Sequence, residues 1–341
     1  MSNYDFIQTR SRGKHLLIVE GNHEKDELVP LILKCFPKIK IQPENIVVFG
    51  TNIYQLHLNI EKEYGESWFD VMVDIPYVVS KMKRLDTVWH AQDFIDIFLI
   101  FDFERQDTYF SKETIKRMQE YFIDSTDMGK LYINYPMVES YWDTYDRHEE
   151  SFAYRKKNLP MRRGIEYKNA VKDTEIALAV KFPEFLDDVL ERKFGVNDER
   201  DRKDCVSRIL NLNSHAKLNE EIEVILKEKM SERNIMTAKY FLQDKILEIG
   251  YPQEGSTYYD FMQKVLCRII CMNIRKANMV QGGIYELMPE QMNDVFADLD
   301  FVKIVEQQCE CSNDAQQGFI WVLNTSVFFV PDYSFSLVTL S

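Results

Sequence analysis

"LLIVEGNHEKDEL" (residues 16–28) sets four apolar residues directly against six that carry or can carry a charge within a stretch of thirteen. A run such as Leu16 to Val19, with no polar alternation, reads as a strand covered on both faces, and such strands belong to parallel sheets. The charged half then leads the chain out of the sheet. Glu20 closes the strand, Gly21 lets the backbone turn, and Glu24 falls at the start of the next helix. In an open parallel sheet, ligands sit at the carboxyl ends of strands, where loops and helix N-termini converge. Glu20 and Glu24 therefore both face that crevice, although Glu24 alone also reads as a first-turn acid facing the helix dipole.

The surrounding sequence repeats the pattern. Strand-like runs are "HLLIVE" (15–20), "NIVVFG" (45–50), "DIFLIFDFE" (96–104) and "KLYINY" (130–135). Helical patterns fill the intervals 23–36, 52–64, 67–84 and 111–124. Leu28, Leu31, Ile32 and Cys35 recur at helical spacing in the first, and Ile115, Met118, Phe122 and Ile123 in the last. The alternation predicts an α/β fold over residues 1–150, with a mostly parallel sheet flanked by helices. Residues 151–315 read as a largely helical second part. The tail "GFIWVLNTSVFFVPDYSF" (318–335) reads as one or two strands, so residues 316–341 are expected to form C-terminal strands packing on the core.

Bulk properties narrow the function classes. The 341 residues are 45% hydrophobic and 13% aromatic, enough for a substantial core. No apolar run approaches the roughly 18 residues of a membrane helix, and the first residues carry no signal-peptide core, so a cytoplasmic protein without a membrane is expected. The cysteines Cys35, Cys205, Cys267, Cys271, Cys309 and Cys311 form no paired CxxC spacing, which disfavours zinc and predicts reduced core thiols. A net charge of −13 argues against general affinity for nucleic acid, but not against a local site. "RKKNLPMRR" (155–163) holds Arg155, Lys156, Lys157, Arg162 and Arg163, and reads as a phosphate-backbone track or as a solvated loop.

The third strand ends in "IFDFER". Asp102 and Glu104 are two apart, so they share one face while the chain stays extended, with Phe103 turned into packing. Asp107 is a weaker candidate. If these acids meet Glu20 and Glu24 at about 5 Å, each like-charge pair costs roughly 3 kcal/mol at an effective dielectric near 20. Either a cation sits among them or some carboxyls stay protonated. Hard oxygen ligands suit Mg²⁺ or Mn²⁺.

These pieces, in this order, resemble the Toprim motif shared by topoisomerases, primases and OLD-family nucleases. That motif is a Glu followed by Gly after the first strand, then D-x-D after a later one. "VEGNHE" (19–24) is similar to the OLD-type form, with a second acid four residues on, and "DFE" (102–104) to D-x-D with Glu in the second place. "INYPMVESYW" (133–142) resembles a segment that follows the fourth strand in Toprim-like proteins of bacterial defence, which makes Glu139 the matching acid. As a plain structural feature, Glu139 also reads as a first-turn acid after Pro136. Over residues 14–142 the chain is similar to the Toprim effector subunit of PARIS-type anti-phage systems.

The resemblance implies a metal-dependent nuclease cleaving RNA (tRNA included) or DNA, as the effector of an anti-phage system. Glu20, Glu24, Asp102, Glu104 and Glu139 would hold one or two Mg²⁺ (or Mn²⁺) ions, with Glu20 and Asp102 central to catalysis. A downstream basic residue is expected near the scissile phosphate. Lys276, in "CRIICMNIRKANMVQGG" (267–283), is the candidate, with Lys130 as an alternative, and a surface helix charge is its plain reading. A separate ATPase would control the enzyme, since the chain has no Walker A loop, and a homodimer is implied. Two other readings stay open: a D-x-D phosphoryl-transfer enzyme with Asp102 as nucleophile, and a catalytically silent sensor or scaffold working with the ATPase.

Overall fold

Leu16, Leu17, Ile18 and Val19 are completely buried. In the computed structural model, which describes residues 14–144, 151–161, 164–229, 232–252, 254–314 and 317–339, they form an interior strand of the main sheet. This strand, β1 (Lys14–Val19), lies between β2 (Ile46–Val48) and β3 (Phe94–Asp102) and runs parallel to both. Beyond β3 lie β5 (Gly129–Asn134), also parallel, and the antiparallel edge strand β4 (Ile123–Asp124). The order is β2-β1-β3-β5-β4. Leu17 sits opposite both Ile46 and Phe98, and Asp102 opposite Asn134, so β1, β3 and β5 end together.

The crossovers are helices. A π-helical segment, Glu24–Leu28, runs without a break into α1 (Val29–Cys35), which carries Pro30 in its first turn. Leu28, Leu31, Ile32 and Cys35 are all buried, as their spacing predicts. α2 (Ile53–Tyr64) starts at an Asn52 cap and buries Ile53, Leu56 and Ile60. The helix expected over 67–84 is broken: Asp74 caps α3 (Ile75–Lys83), and a 3₁₀ turn, Trp68–Asp70, precedes it. α4 (Lys112–Tyr121) buries Ile115 and Met118. Phe122 is buried just past its end, whereas Ile123 belongs to the edge strand and is exposed.

From residue 151 the described chain is mainly helical. In order come α5 (Ser151–Arg155), α6 (Gly164–Val171), α7 (Glu175–Val180), α8 (Phe182–Asp188), α9 (Glu199–Leu210), α10 (Leu218–Lys227), α11 (Glu232–Ile249), α12 (Tyr258–Val280), α13 (Met292–Ala297) and α14 (Phe301–Cys311). β6 (Asn158–Pro160) interrupts them. The six cysteines are free, and Cys267 is buried on α12 with Cys271 one turn on and half-buried. Among the described residues no helix is long and apolar enough to cross a membrane.

The tail departs from its expected strands. Among the described residues of the tail only β7 (Phe319–Trp321) forms a strand, and it pairs with β6 in a separate two-stranded sheet. The following residues turn through Ser326–Phe328 into the helix α15 (Phe329–Ser334). Their aromatic and branched residues suit a strand, but here they fill the core: Val327, Phe328, Phe329 and Val330 are fully buried. The tail nonetheless completes the main sheet's surroundings. Leu323 bridges Tyr135, Thr325 Oγ1 donates to the Ile133 carbonyl, and Asp332 pairs with Lys130 at 2.7 Å.

Candidate metal centre

The backbone of Glu20 is held from both sides: its N–H donates to the Ile100 carbonyl, and its own carbonyl accepts from Gly50 N–H. That fixes the residue at the rim where β1 and β3 end. Its side chain then reaches across, and Glu20 Oε2 accepts from the Asp102 backbone N–H at 2.9 Å. Two acids 82 positions apart are thus joined by a direct hydrogen bond. Glu20, Asp102 and Glu104 each place a carboxylate oxygen within 4.8 Å of the other two.

Glu104 arrives by a route the alternation rule does not give. β3 stops at Asp102, Phe103 N–H donates to the Asn134 carbonyl, and Glu104 adopts a left-handed conformation at φ +40°. The chain is therefore turning, not extended, when it brings the third acid round. Phe103 is buried, as expected. Gln106 donates to Glu104 Oε2 at 2.9 Å, and Asn134 Nδ2 approaches Asp102 Oδ1 at 3.4 Å. Asp107 is engaged elsewhere, accepting from Asn52 at 2.7 Å.

Glu24 and Glu139 lie beside this triad but outside its 4.8 Å set. Both are almost fully buried. Gly21 N–H donates to Glu24 Oε2 at 3.1 Å, and a Cβ on residue 21 would sit 3.3 Å from that same oxygen. A side chain there would crowd that carboxylate. Glu139 lies in the 3₁₀ turn Val138–Asp143 and contacts the Lys168 ammonium, with His23 Nδ1 at 3.9 Å from the same oxygen.

The electrostatics follow from crowding half-buried acids in one crevice. Burial pushes Glu20 up to about 8, opposed by the Asp102 N–H bond and reinforced by Glu104, Glu24 and Asp107. Burial raises Glu24 to about 7, partly offset by backbone hydrogen bonds from its own N–H and that of Gly21. Asp102 is held well above the carboxylate range by burial, then by Glu20, Glu24 and Glu139. Glu104 is raised by burial and by Asp107. Burial and mutual repulsion favour the protonated forms of these groups, and a cation among them favours ionisation. Burial also drives His23 down to about 4, so its ring is neutral at physiological pH.

The basic candidates are placed differently. Lys276 is fully buried on α12, and its ammonium donates to the carbonyls of Tyr154 at 2.7 Å and Lys157 at 2.6 Å. It also lies 4.1 Å from the Tyr154 ring centre. It is not a surface charge, and its hydrogen bonds are spent on backbone. Lys130 is paired with Asp332. In the basic stretch, Arg155 pairs with Glu286 and Lys157 with Asp143, both at 2.5 Å, while Lys156 also has a partner. Arg162 and Arg163 lie outside the described residues. Local acids thus already claim Arg155 and Lys157.

A groove of about 1550 Å³ runs among α7, α8, α9 and the end of α11, but none of the five acids lines it. Its walls carry both signs, for example Lys181 and Arg192 beside Glu184 and Asp188, so it is no phosphate track. Sequence reasoning missed Lys168 and Asn134. Lys168 lies among alternating charges on a helix beyond the α/β region, where nothing local marks it. Asn134 ends β5, one residue before the close of the fourth apolar run, and it is the polar residue at the strand end nearest Asp102. No protein-family model matches the chain, no curated protein matches it, and no solved structure matches it.

Proposed function

We propose that this chain is a divalent-cation-dependent nuclease of Toprim type. The observation that supports the reading most is the meeting of Glu20, Asp102 and Glu104 within 4.8 Å at the carboxyl end of a parallel sheet. The donor set fits Mg²⁺ or Mn²⁺: three hard carboxylates, no sulfur, and a burial that makes their joint ionisation costly unless a cation is present. When bound, such an ion supplies Lewis-acid charge to a phosphodiester. The protein's own part is preorganisation. The Asp102 N–H orients Glu20, Asn134 steadies Asp102, and Gln106 steadies Glu104. The D-x-D phosphotransferase reading is less well supported, because a nucleophilic Asp102 would approach phosphate flanked by Glu20, Glu24 and Glu139.

The substrate is RNA, tRNA included, or DNA. The wider setting, an anti-phage effector governed by an ATPase partner, rests on the sequence resemblance and is tested by copurification from the native host. For the chemistry, purified protein is assayed on RNA and DNA with Mg²⁺, Mn²⁺ or EDTA. Glu20→Gln and Asp102→Asn each lower metal-dependent cleavage by at least about 100-fold, since losing a ligand exceeds the 10–100-fold effect of losing an outer partner. Cleavage that survives both substitutions undiminished removes the proposal.

A further inference from the structure

The acids at this centre form two groups, and they differ in what neutralises them. Glu20, Asp102 and Glu104 converge with no cation in direct ion-pair contact among the described residues. Glu24 and Glu139 adjoin them through Asp102, and this second group already has a positive charge. The Lys168 ammonium contacts Glu139, which is only 3% exposed, and its field also acts on Asp102 and Glu24.

Lys168 is held in place from its own helix. The adjacent Tyr167 is buried and donates to Asp143 Oδ2 at 3.0 Å, which docks α6 against the turn that carries Glu139. Just beyond α6, Thr174 Oγ1 donates to the Trp142 carbonyl at 3.0 Å. Most of the Lys168 side chain is exposed, and only its tip enters the crevice. A long aliphatic stem with a compact charged end suits that geometry.

We propose that Lys168 occupies the position of a second cation, so that the centre takes a single divalent ion at Glu20, Asp102 and Glu104. This rests on the metal-centre reading above. Five crowded carboxylates call for more positive charge than one ion brings. A second divalent ion and an ammonium are competing ways to supply it near Glu24 and Glu139. With Lys168 seated, the second half is closed to metal, and with Lys168 removed it opens.

The test counts ions instead of turnover. Mn²⁺ is titrated into the full chain, with bound ions counted by equilibrium dialysis and by the loss of the free-ion paramagnetic resonance signal. Wild type binds one ion, and Glu20→Gln or Asp102→Asn abolishes it. Lys168→Ala binds two. Lys168→Gln, which keeps a hydrogen-bond donor for Glu139 but no charge, also binds two. Adding Glu139→Gln to Lys168→Ala returns the count to one. Two ions in the wild type, or one ion in both Lys168 variants, overturns the assignment while leaving the metal centre standing. A wild type that binds none overturns the centre itself, and the role of Lys168 with it.

Discussion

A buried ammonium is costly unless its donors are satisfied, and Lys276 satisfies two of them on the carbonyls of Tyr154 and Lys157. Burial holds its pKa well below the usual lysine range, against the opposing field of Asp143. Those carbonyls lie at the end of α5 and just beyond it, before β6, where the chain leaves one helix and enters the small sheet. Lys276 thus stitches α12 to that corner. Lys276→Met fills the space but removes one of the two donors at each carbonyl, leaving Lys157 N–H on Tyr154 and Val322 N–H on Lys157, so unfolding free energy falls by about 1–2 kcal/mol. Chemical denaturation measures this, and Mn²⁺ affinity at the triad stays within about twofold because the sites share no partner. If cleavage disappears while stability holds, Lys276 acts on the phosphate instead. Lys168 is the contrasting residue: exposed along its stem, placed by its neighbours, and in contact with an acid of the centre.

At the scale of elements, the turn after β3 sets local strain against function. A non-glycine residue in the left-handed region costs roughly 1–2 kcal/mol, and Glu104 sits there at φ +40° while presenting a carboxylate to Glu20 and Asp102. Glu104→Gly relieves that conformation and one like charge, so the metal-free protein gains about 1 kcal/mol while Mn²⁺ affinity falls by at least about tenfold. Denaturant midpoints and metal titration read the two effects separately. A destabilised Glu104→Gly would mean that the Gln106 contact, not strain, governs the turn. The same turn marks how far the sequence could be read. Strand-end logic brings Asp102 to Glu20 because both close buried parallel strands. It assigns Glu104 to the right neighbourhood by a mistaken route, since period-two alternation fails once a strand has ended. The tail was illegible for a related reason: "FIWVLNTSVFFV" has strand-like composition, and only its burial against β5 and α12 makes most of it turn and helix. Lys168 had no local signature, because its role exists only after α6 docks on the Val138–Asp143 turn.

For the whole molecule, the centre is a junction. Glu20 ties the end of β1 to β3, and Asp102 faces Asn134 of β5. Asn134 Oδ1 accepts from Ser326 N–H, and Asn324 reaches back to the Val138 carbonyl beside Glu139. The α/β sheet, the tail and the turn carrying Glu139 therefore meet around the same acids. A ligand that binds the folded state alone stabilises it by about 2.7 kcal/mol at a hundredfold excess over Kd. For a chain of this size that corresponds to a Tm rise of about 3–6 °C. Saturating Mg²⁺ or Mn²⁺ is expected to raise Tm by that amount over EDTA. Asp102→Asn and Glu20→Gln lose the increment, because the ion no longer holds the strand ends together. Lys276→Met starts from a lower Tm yet keeps the full increment, since its defect lies at another corner. A wild-type Tm that does not respond to either ion would remove the ion from the junction, leaving proton sharing among the raised carboxyls to hold it.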